Sequence, residues 1–489
     1  MDIIKEYVDR FNAEDNEHVI NKIDNAHAYE WMKEEIPVFE CPDKDIERAY
    51  YFRFWTFRKH IREEKIGYMI SEFLPKVGWS GEYNEINAAV GHHLYEGRWL
   101  KNAGKYFKSY INHFLDDSYR GHLYSSWMLW AMLEYSKVTG DYDWGEGYLA
   151  KICKHYEEWE AEHLLKNGFF WSLDDNDAME LSISSRRNGK LARAIRPTLN
   201  SYMCANAYAI AEFAKAAGEM ELCEKYIKKH EALKNLINDQ IWYDGFYRAF
   251  PYFRDIDVPE DAIKNYDGQS PMELIGYIPW MFNIPPKGRE DRFELLEDEG
   301  VFLTPYGLAT ADKSDPRFLY YDEHECQWNG YVWPFATAQT LTALYTQMKR
   351  DEDSHQRFGG MYYRLLKQYA WSHHLTREDG TMVSWIDESR SPLEDDWYSR
   401  SRLIEMNWKG GKEERGKDYN HSTYCDLVIS GLVGFGVEDG CVKVKPCFPE
   451  EWDWCRLTDI PCMGKLYTVT YDKTGEKFGG EKGLTVTCR

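Results

Sequence analysis

Between residues 174 and 187 the chain reads DDNDAMELSISSRR, which sets the carboxylates Asp174, Asp175, Asp177 and Glu180 within one short connection. The aromatic run Phe169-Phe170-Trp171 precedes them, and a strong helical stretch, RPTLNSYMCANAYAIAEFAKAAG, follows. Acids carried on a connection between ordered elements stand where binding and catalytic residues concentrate. Asp177 and Glu180 are three apart, so one turn aims both at one point. Burial beside Trp171 or Met179 would raise a carboxyl pKa toward the value a general acid needs. The bland alternative is a solvated acidic turn that caps the next element, since perturbed carboxylates also occur in structural networks.

The whole chain narrows the class of chemistry. Its 489 residues are ample for a buried core, with 43% hydrophobic and 29% charged residues and no run that spans a bilayer. Sixty basic side chains against 82 acidic ones give a net charge of −22, which argues against a phosphate-backbone partner. Eleven cysteines without C-x-x-C pairs fit reduced thiols, and the start, MDIIKEYVDRFNAEDNEHV, has no export-signal pattern, so a cytoplasmic location is expected. Aromatic residues reach 16%, with 19 Trp and 36 Tyr, many beside Gly, Asn or acids. Sugar rings suit such surroundings, because an aromatic face covers their C–H side while polar neighbours take the hydroxyls; filling a large helical core is the other use of the same residues.

Elements to position these residues are legible in outline. Apolar residues recur at helical spacing, as in Leu123, Trp127, Trp130 and Leu133, or Leu222, Tyr226, Leu233 and Leu236. Roughly a dozen such segments between residues 44 and 435, many joined by short Gly- or Asp-containing connections, predict a mainly α domain of helical hairpins in a ring. Residues 1–43 read as an N-terminal helical extension. After Phe435, CVKVKP, KLYTVTYD and GLTVTC alternate apolar and polar residues, so 436–489 reads as a small C-terminal β appendage. The long irregular stretches 168–197, 300–334 and 375–420 are rich in aromatics and acids, which favours ordered functional loops over disorder.

Five stretches, in order, carry a resemblance. Asp177-Ala178-Met179-Glu180-Leu181-Ser182 looks like the motif around the general acid in trehalases and glycoside hydrolase family 63. Arg196-Pro197-Thr198-Leu199-Asn200-Ser201-Tyr202-Met203 resembles the mannosylglycerate-hydrolase-like branch of that group. So do Tyr51-Phe52-Arg53-Phe54-Trp55, the stretch Gln327-Trp328-Asn329-Gly330-Tyr331-Val332-Trp333-Pro334-Phe335-Ala336-Thr337, and Tyr419-Asn420-His421-Ser422-Thr423-Tyr424-Cys425-Asp426. The resemblance implies an (α/α)6 barrel and an inverting glycoside hydrolase with two carboxylates. Position by position it gives Glu180 as acid, with Asp177 as fallback; Glu stands where trehalases have Asp, and Ala178 replaces the usual Gly.

Family enzymes carry the second carboxylate ahead of the last barrel helix, here SRLIEMNWKGGKEERGKDYNHST, and Glu405 is the expected base, with Glu413, Glu414 and Asp418 open. On the bland reading Glu405 pairs with Arg402 at the surface, worth little energetically. Trp328, Asn329, Trp333 and His421 are expected to line the pocket, with Trp79 and Tyr83 of GWSGEYN as a further wall. Asn200 and Tyr202 are also candidates, at a helix start where Asn-Ser can simply satisfy backbone N–H groups. Arg53 and Trp55 read as core and ion-pair residues. No metal or cofactor is expected: His92-His93 point apart on a helix, and His324-Glu325-Cys326 is a lone cluster. The expected partner is a small carbohydrate, with no nucleic acid or membrane and an unassigned oligomeric state. A sugar epimerase and a glycoside phosphorylase on the same barrel are the alternatives.

Overall fold

The computed structural model describes residues 2–116, 124–187, 190–191, 193–251, 271–320, 324–406 and 414–489. Fourteen α-helices are assigned among them. Two precede the main body, α1 (Ile3–Glu14) and α2 (Ala28–Glu35). Asp2 caps α1 by accepting from the Ile4 and Lys5 N–H groups, and Ile4, Tyr7, Val8 and Phe11 form its buried stripe. The body comprises α3 (Lys44–Lys59), α4 (Val90–Gly97), α5 (Ala103–Phe114), α6 (Met128–Thr139), α7 (Tyr148–His163), α8 (Pro197–Ala216) and α9 (Met220–Gln240). It continues with α10 (Ile278–Met281), α11 (Pro334–Arg350), α12 (Glu352–Trp371), α13 (Tyr398–Glu405) and α14 (Tyr424–Asp426), the last running into a π-helical turn over Leu427–Leu432.

Burial sorts these helices into two layers. Every residue of α4 is buried, as are nearly all of α8 and α11, so these helices are enclosed on all sides. In contrast α7 buries Ile152, His155, Tyr156, Trp159 and His163, and α9 buries Cys223, Tyr226, His230, Leu233 and Ile237, each a single stripe at helical spacing. Neighbours follow one another around the inner layer: α4 packs on α6, α6 on α8, α8 on α10, α10 on α11, and α11 on the π-helical turn, while α14 returns to α4. Outside it α7 and α9 lie on α8, and α12 lies on α11 and α3.

The C-terminal residues form the expected strands, and the N-terminal stretch joins them. A four-stranded antiparallel sheet runs in the order Val38–Glu40, Trp454–Cys462, Lys465–Asp472, Gly483–Cys488. Val38 pairs with Thr458 and Glu40 with Arg456, and Arg456 reaches Glu40 Oε2 at 2.6 Å. Residues ahead of position 43 therefore supply an edge strand as well as helices. Among the described residues no helix is long and apolar enough to cross a membrane.

Gly431 lies in the π-helical turn, where a Cβ would strike the Tyr362 hydroxyl that donates to the Leu427 carbonyl at 2.7 Å. Gly431→Ala is expected to lower stability by roughly 1–3 kcal/mol through overpacking, read as a fall in the denaturant midpoint at unchanged slope.

Candidate active site

Three loops distant in sequence bring carboxylates together. Glu72 follows the hairpin Ile61–Glu64/Gly67–Ile70, Glu180 follows a short 3-10 turn at Asp175–Asp177, and Glu388 follows the strand Met382–Ser384. Glu180 is half-buried, whereas Glu72 and Glu388 are buried. The Trp328 backbone N–H donates to the Glu180 carbonyl at 3.0 Å, tying the acidic connection to the loop ahead of α11.

Backbone strain brackets Glu180. Ala178 has φ +55° and Leu181 φ +60°, both in the left-handed region that side chains with a Cβ disfavour. Ala178 fills the place where the resembling sequences carry Gly, and the backbone geometry is the one that Gly adopts freely. Burial pushes the Glu180 carboxyl up to about 8, and the charges of Asp175, Asp174 and Glu388 add to the rise against a pull from its own backbone N–H.

Glu388 has the opposite setting. Arg415 donates to its Oε2, and the same guanidinium reaches Glu325 Oε1 at 2.8 Å. The Cys326 thiol donates to Glu388 Oε1 at 3.6 Å. Arg415 also lies over the rings of Trp79 and Phe73, at 5.1 and 5.6 Å from their centres. Glu72 accepts from the Trp79 indole N–H at 3.4 Å, and its Oε1 lies 3.4 Å from His421 Nε2. Burial raises Glu72 well above the ordinary carboxylate range, the nearby Glu388 charge adding to it against the Trp79 bond and Arg415.

An aromatic cluster adjoins these groups. Trp328 stacks on Trp333 with ring centres 4.6 Å apart, Phe335 meets Trp328 edge-on at 5.4 Å and His421 at 5.1 Å, and His92 lies parallel to His421 at 5.6 Å. Trp333 precedes Pro334, the first residue of α11, and anchors the turn by donating to the Gln327 carbonyl at 2.8 Å. Trp79, 45% exposed, stands at the edge of the group.

Other expected residues take different places. Asp177 is buried and bound by Arg196 at 2.5 Å, by the Ser125 hydroxyl at 2.7 Å and by the Thr198 hydroxyl, so its oxygens are occupied and hold the start of α8. Asn200 is likewise structural: it accepts from the Phe170 N–H at 2.8 Å and donates to the carbonyls of Phe170 and Arg196. Tyr202 is buried against Phe282 and accepts from Gln339 at 2.6 Å. Tyr83 meets the ring of His113 edge-on, and Asn329 is buried with its carbonyl accepting from Leu319.

Glu405, expected as the base, has an exposed setting. It ends α13 with its side chain 66% exposed and paired with Arg402 at 2.9 Å, and the structure does not bring it to the acid cluster. Asp418 is buried and paired with Lys59 at 2.5 Å, Glu414 sits near His18, and Glu413 lies outside the described residues. Arg53 and Trp55 are buried, Arg53 3.7 Å from Glu96. Glu72, Glu388, Cys326 and Arg415, which the sequence did not group, stand together in this cluster. The signal available for Glu388 was WIDESRSP, an acid pair next to Trp in a long loop.

Comparison with known proteins gives the same kind of protein. The family model described as mannosylglycerate hydrolase MGH1-like glycoside hydrolase domain matches residues 82–422. A protein of Borreliella burgdorferi described as uncharacterized is 28% identical over 193 residues, 39% of this chain and 37% of its own length. A solved structure named sialidase superposes with a TM-score of 0.85 at 34% identity, over 99% of this chain and 42% of that one. The α-L-rhamnosidase of Streptomyces avermitilis, complexed with L-rhamnose, has a TM-score of 0.53 at 10% identity, over 93% of this chain and 37% of that one, a likeness of fold alone. This chain thus spans less than half the length of these relatives.

Asp177→Ala removes the carboxylate that the buried Arg196 guanidinium binds and is expected to cost about 3–5 kcal/mol in chemical denaturation. Ala178→Gly relieves the left-handed strain and is expected to raise stability by roughly 1 kcal/mol in the same measurement.

Proposed function

Since this chain belongs to the mannosylglycerate hydrolase MGH1-like glycoside hydrolase family, we propose that it hydrolyses a glycosidic bond with inversion, Glu180 acting as general acid and Glu388 as general base. One observation carries the assignment: two acids of one cluster stand in opposite environments. Burial holds Glu180 protonated to about pH 8, whereas Arg415 holds Glu388 in an ion pair. A carboxyl that holds its proton suits the acid, and one paired with a guanidinium suits the base.

Glu180 gives its proton to the leaving oxygen as the bond breaks. Glu388 takes a proton from a water that attacks the anomeric carbon on the opposite face, which in inverting enzymes needs carboxyl groups roughly 6.5–9.5 Å apart. Arg415 and Cys326 fix the two oxygens of Glu388, so the base keeps one orientation through the reaction. Glu388 takes over the role that the sequence assigned to Glu405. Trp79 and the Trp328–Trp333 stack supply the aromatic walls. The circuit of packed inner helices supports an (α/α)6 barrel.

A panel of mannosylglycerate, sialosides and α-L-rhamnosides, with NMR of the first-released anomer, tests class and stereochemistry together. An inverted product supports the reading; a retained anomer overturns the inverting mechanism. For Glu180 the protonated form is the active one, so kcat/KM is expected to fall as pH rises through about 8. Glu180→Gln is expected to lose about 10²–10⁴-fold in kcat/KM together with that basic limb, and a variant that keeps full activity removes Glu180 from the mechanism.

A further inference from the structure

We propose that Glu72 and His421 form a reader of adjacent hydroxyls on the glycone, so that the substrate class is a neutral sugar with a free vicinal diol. The inference rests on the glycoside reading above and assigns to a third carboxyl group a task other than acid or base.

The His421 ring is fixed on every side. Its Nδ1 lies 2.7 Å from the Tyr419 hydroxyl, it stacks on His92, and it meets Phe335 edge-on. The Tyr419 carbonyl and the Asn420 side chain are held from behind by Arg53, at 3.1 and 3.5 Å. Its remaining nitrogen, Nε2, is buried and has no hydrogen-bond partner among the described residues. Native proteins satisfy nearly all such groups, so an orphan on a rigid ring beside an acid cluster points to a ligand. The Trp328 indole N–H, on a ring that touches the same Phe335, is buried and unpartnered in the same way.

Glu72 completes the arrangement. Its Oε1 stands 3.4 Å from His421 Nε2 without the alignment of a hydrogen bond, and Trp79 holds the other oxygen. Two polar atoms at that spacing fit the two oxygens of a vicinal diol, each one hydrogen-bond length from its partner. Burial, with His92, His93 and His60 close by, keeps His421 neutral. In the proposed arrangement the Tyr419 hydroxyl donates to Nδ1, and Nε2 carries the hydrogen and donates to one hydroxyl. Glu72, whose carboxyl burial raises well above the ordinary range, takes the next. Glu72 and His421 are thus specificity residues, and the Phe335 ring between His421 and Trp328 gives the sugar's C–H face an apolar seat.

The test compares 4-nitrophenyl α-D-mannoside and α-L-rhamnoside with their monodeoxy derivatives, on the wild type, Glu72→Ala and His421→Ala, each variant first checked by thermal melting. In the wild type, removing either of two adjacent hydroxyls is expected to lower kcat/KM at least tenfold. In each variant the parent substrate falls to the deoxy level, the deoxy substrate is scarcely changed, and the basic limb near pH 8 from Glu180 persists. Deoxy penalties that persist undiminished in both variants overturn the proposal. So does an equal loss on all substrates in Glu72→Ala, which makes Glu72 an acid or base instead. If the wild type hydrolyses no glycoside, the glycosidase reading fails by itself. Binding of free D-mannose and L-rhamnose against their deoxy forms, by saturation-transfer NMR, then still reads the diol, and equal binding of both forms overturns it. If His421→Ala fails to fold, His421→Asn and Glu72→Ala carry the comparison.

Discussion

Three carboxyl groups gathered in a largely buried space cannot all hold charge, and the organisation of this protein's site follows from that constraint. Each ionised carboxylate raises the cost of ionising the next, while burial already disfavours the charged form. One guanidinium breaks the symmetry. Arg415 commits itself to Glu388 and Glu325, and among the described residues Glu72 and Glu180 are left without a cation of their own, both raised by burial above the ordinary carboxylate range. Exchanging the roles would require the cation to move.

The scaffold's task is to keep three loops in register around that cation. Helix α8 begins at Pro197 and α11 at Pro334, and the residues just ahead of both carry the linkages: Arg196 to Asp177, Trp333 to the Gln327 carbonyl. Trp328 then reaches Glu180 through the backbone, and Val332 pairs with both Ala309 and Arg390, which zips the loop ahead of α11 to the loop that bears Glu388. Backbone bonds between loops are insensitive to side-chain identity, which leaves the side chains free for chemistry. The left-handed Ala178 and Leu181 are the local cost of turning Glu180 inward against this frame.

Much of this was legible in the residues, and the failures have physical causes. Periodicity revealed the helices because amphipathic spacing is local, and Glu180 stood out because its apolar neighbours and its loop are local too. Glu405 was expected from its place ahead of the last inner helix, but position along a chain does not say where a side chain points, and Arg402 one turn back draws it into solvent. Glu72 and Glu388 could not be paired from sequence, since their meeting depends on helices packed between them. The strand Val38–Glu40 escaped for the same reason: three residues show no alternation, and the partner lies more than four hundred residues away. Asn200 and Asp177 were visible as polar residues at a helix start, and the structure gives them the structural half of that reading.

The site also sets a condition on the fold that houses it. Glu180 keeps its proton in the folded chain to about pH 8 but releases it near 4.5 when exposed, so the folded state binds the extra proton between those values. Stability therefore falls as pH rises across that window, the opposite of the behaviour of a salt-bridged carboxylate such as Asp15, which Lys59 and Lys417 hold below its ordinary range despite burial. A protonated acid at neutral pH thus opposes folding, and the surrounding packing must outweigh it. The buried pairs Arg196–Asp177 and Arg415–Glu388 are where a single deletion exposes that margin most, because each removes a carboxylate that a buried guanidinium binds.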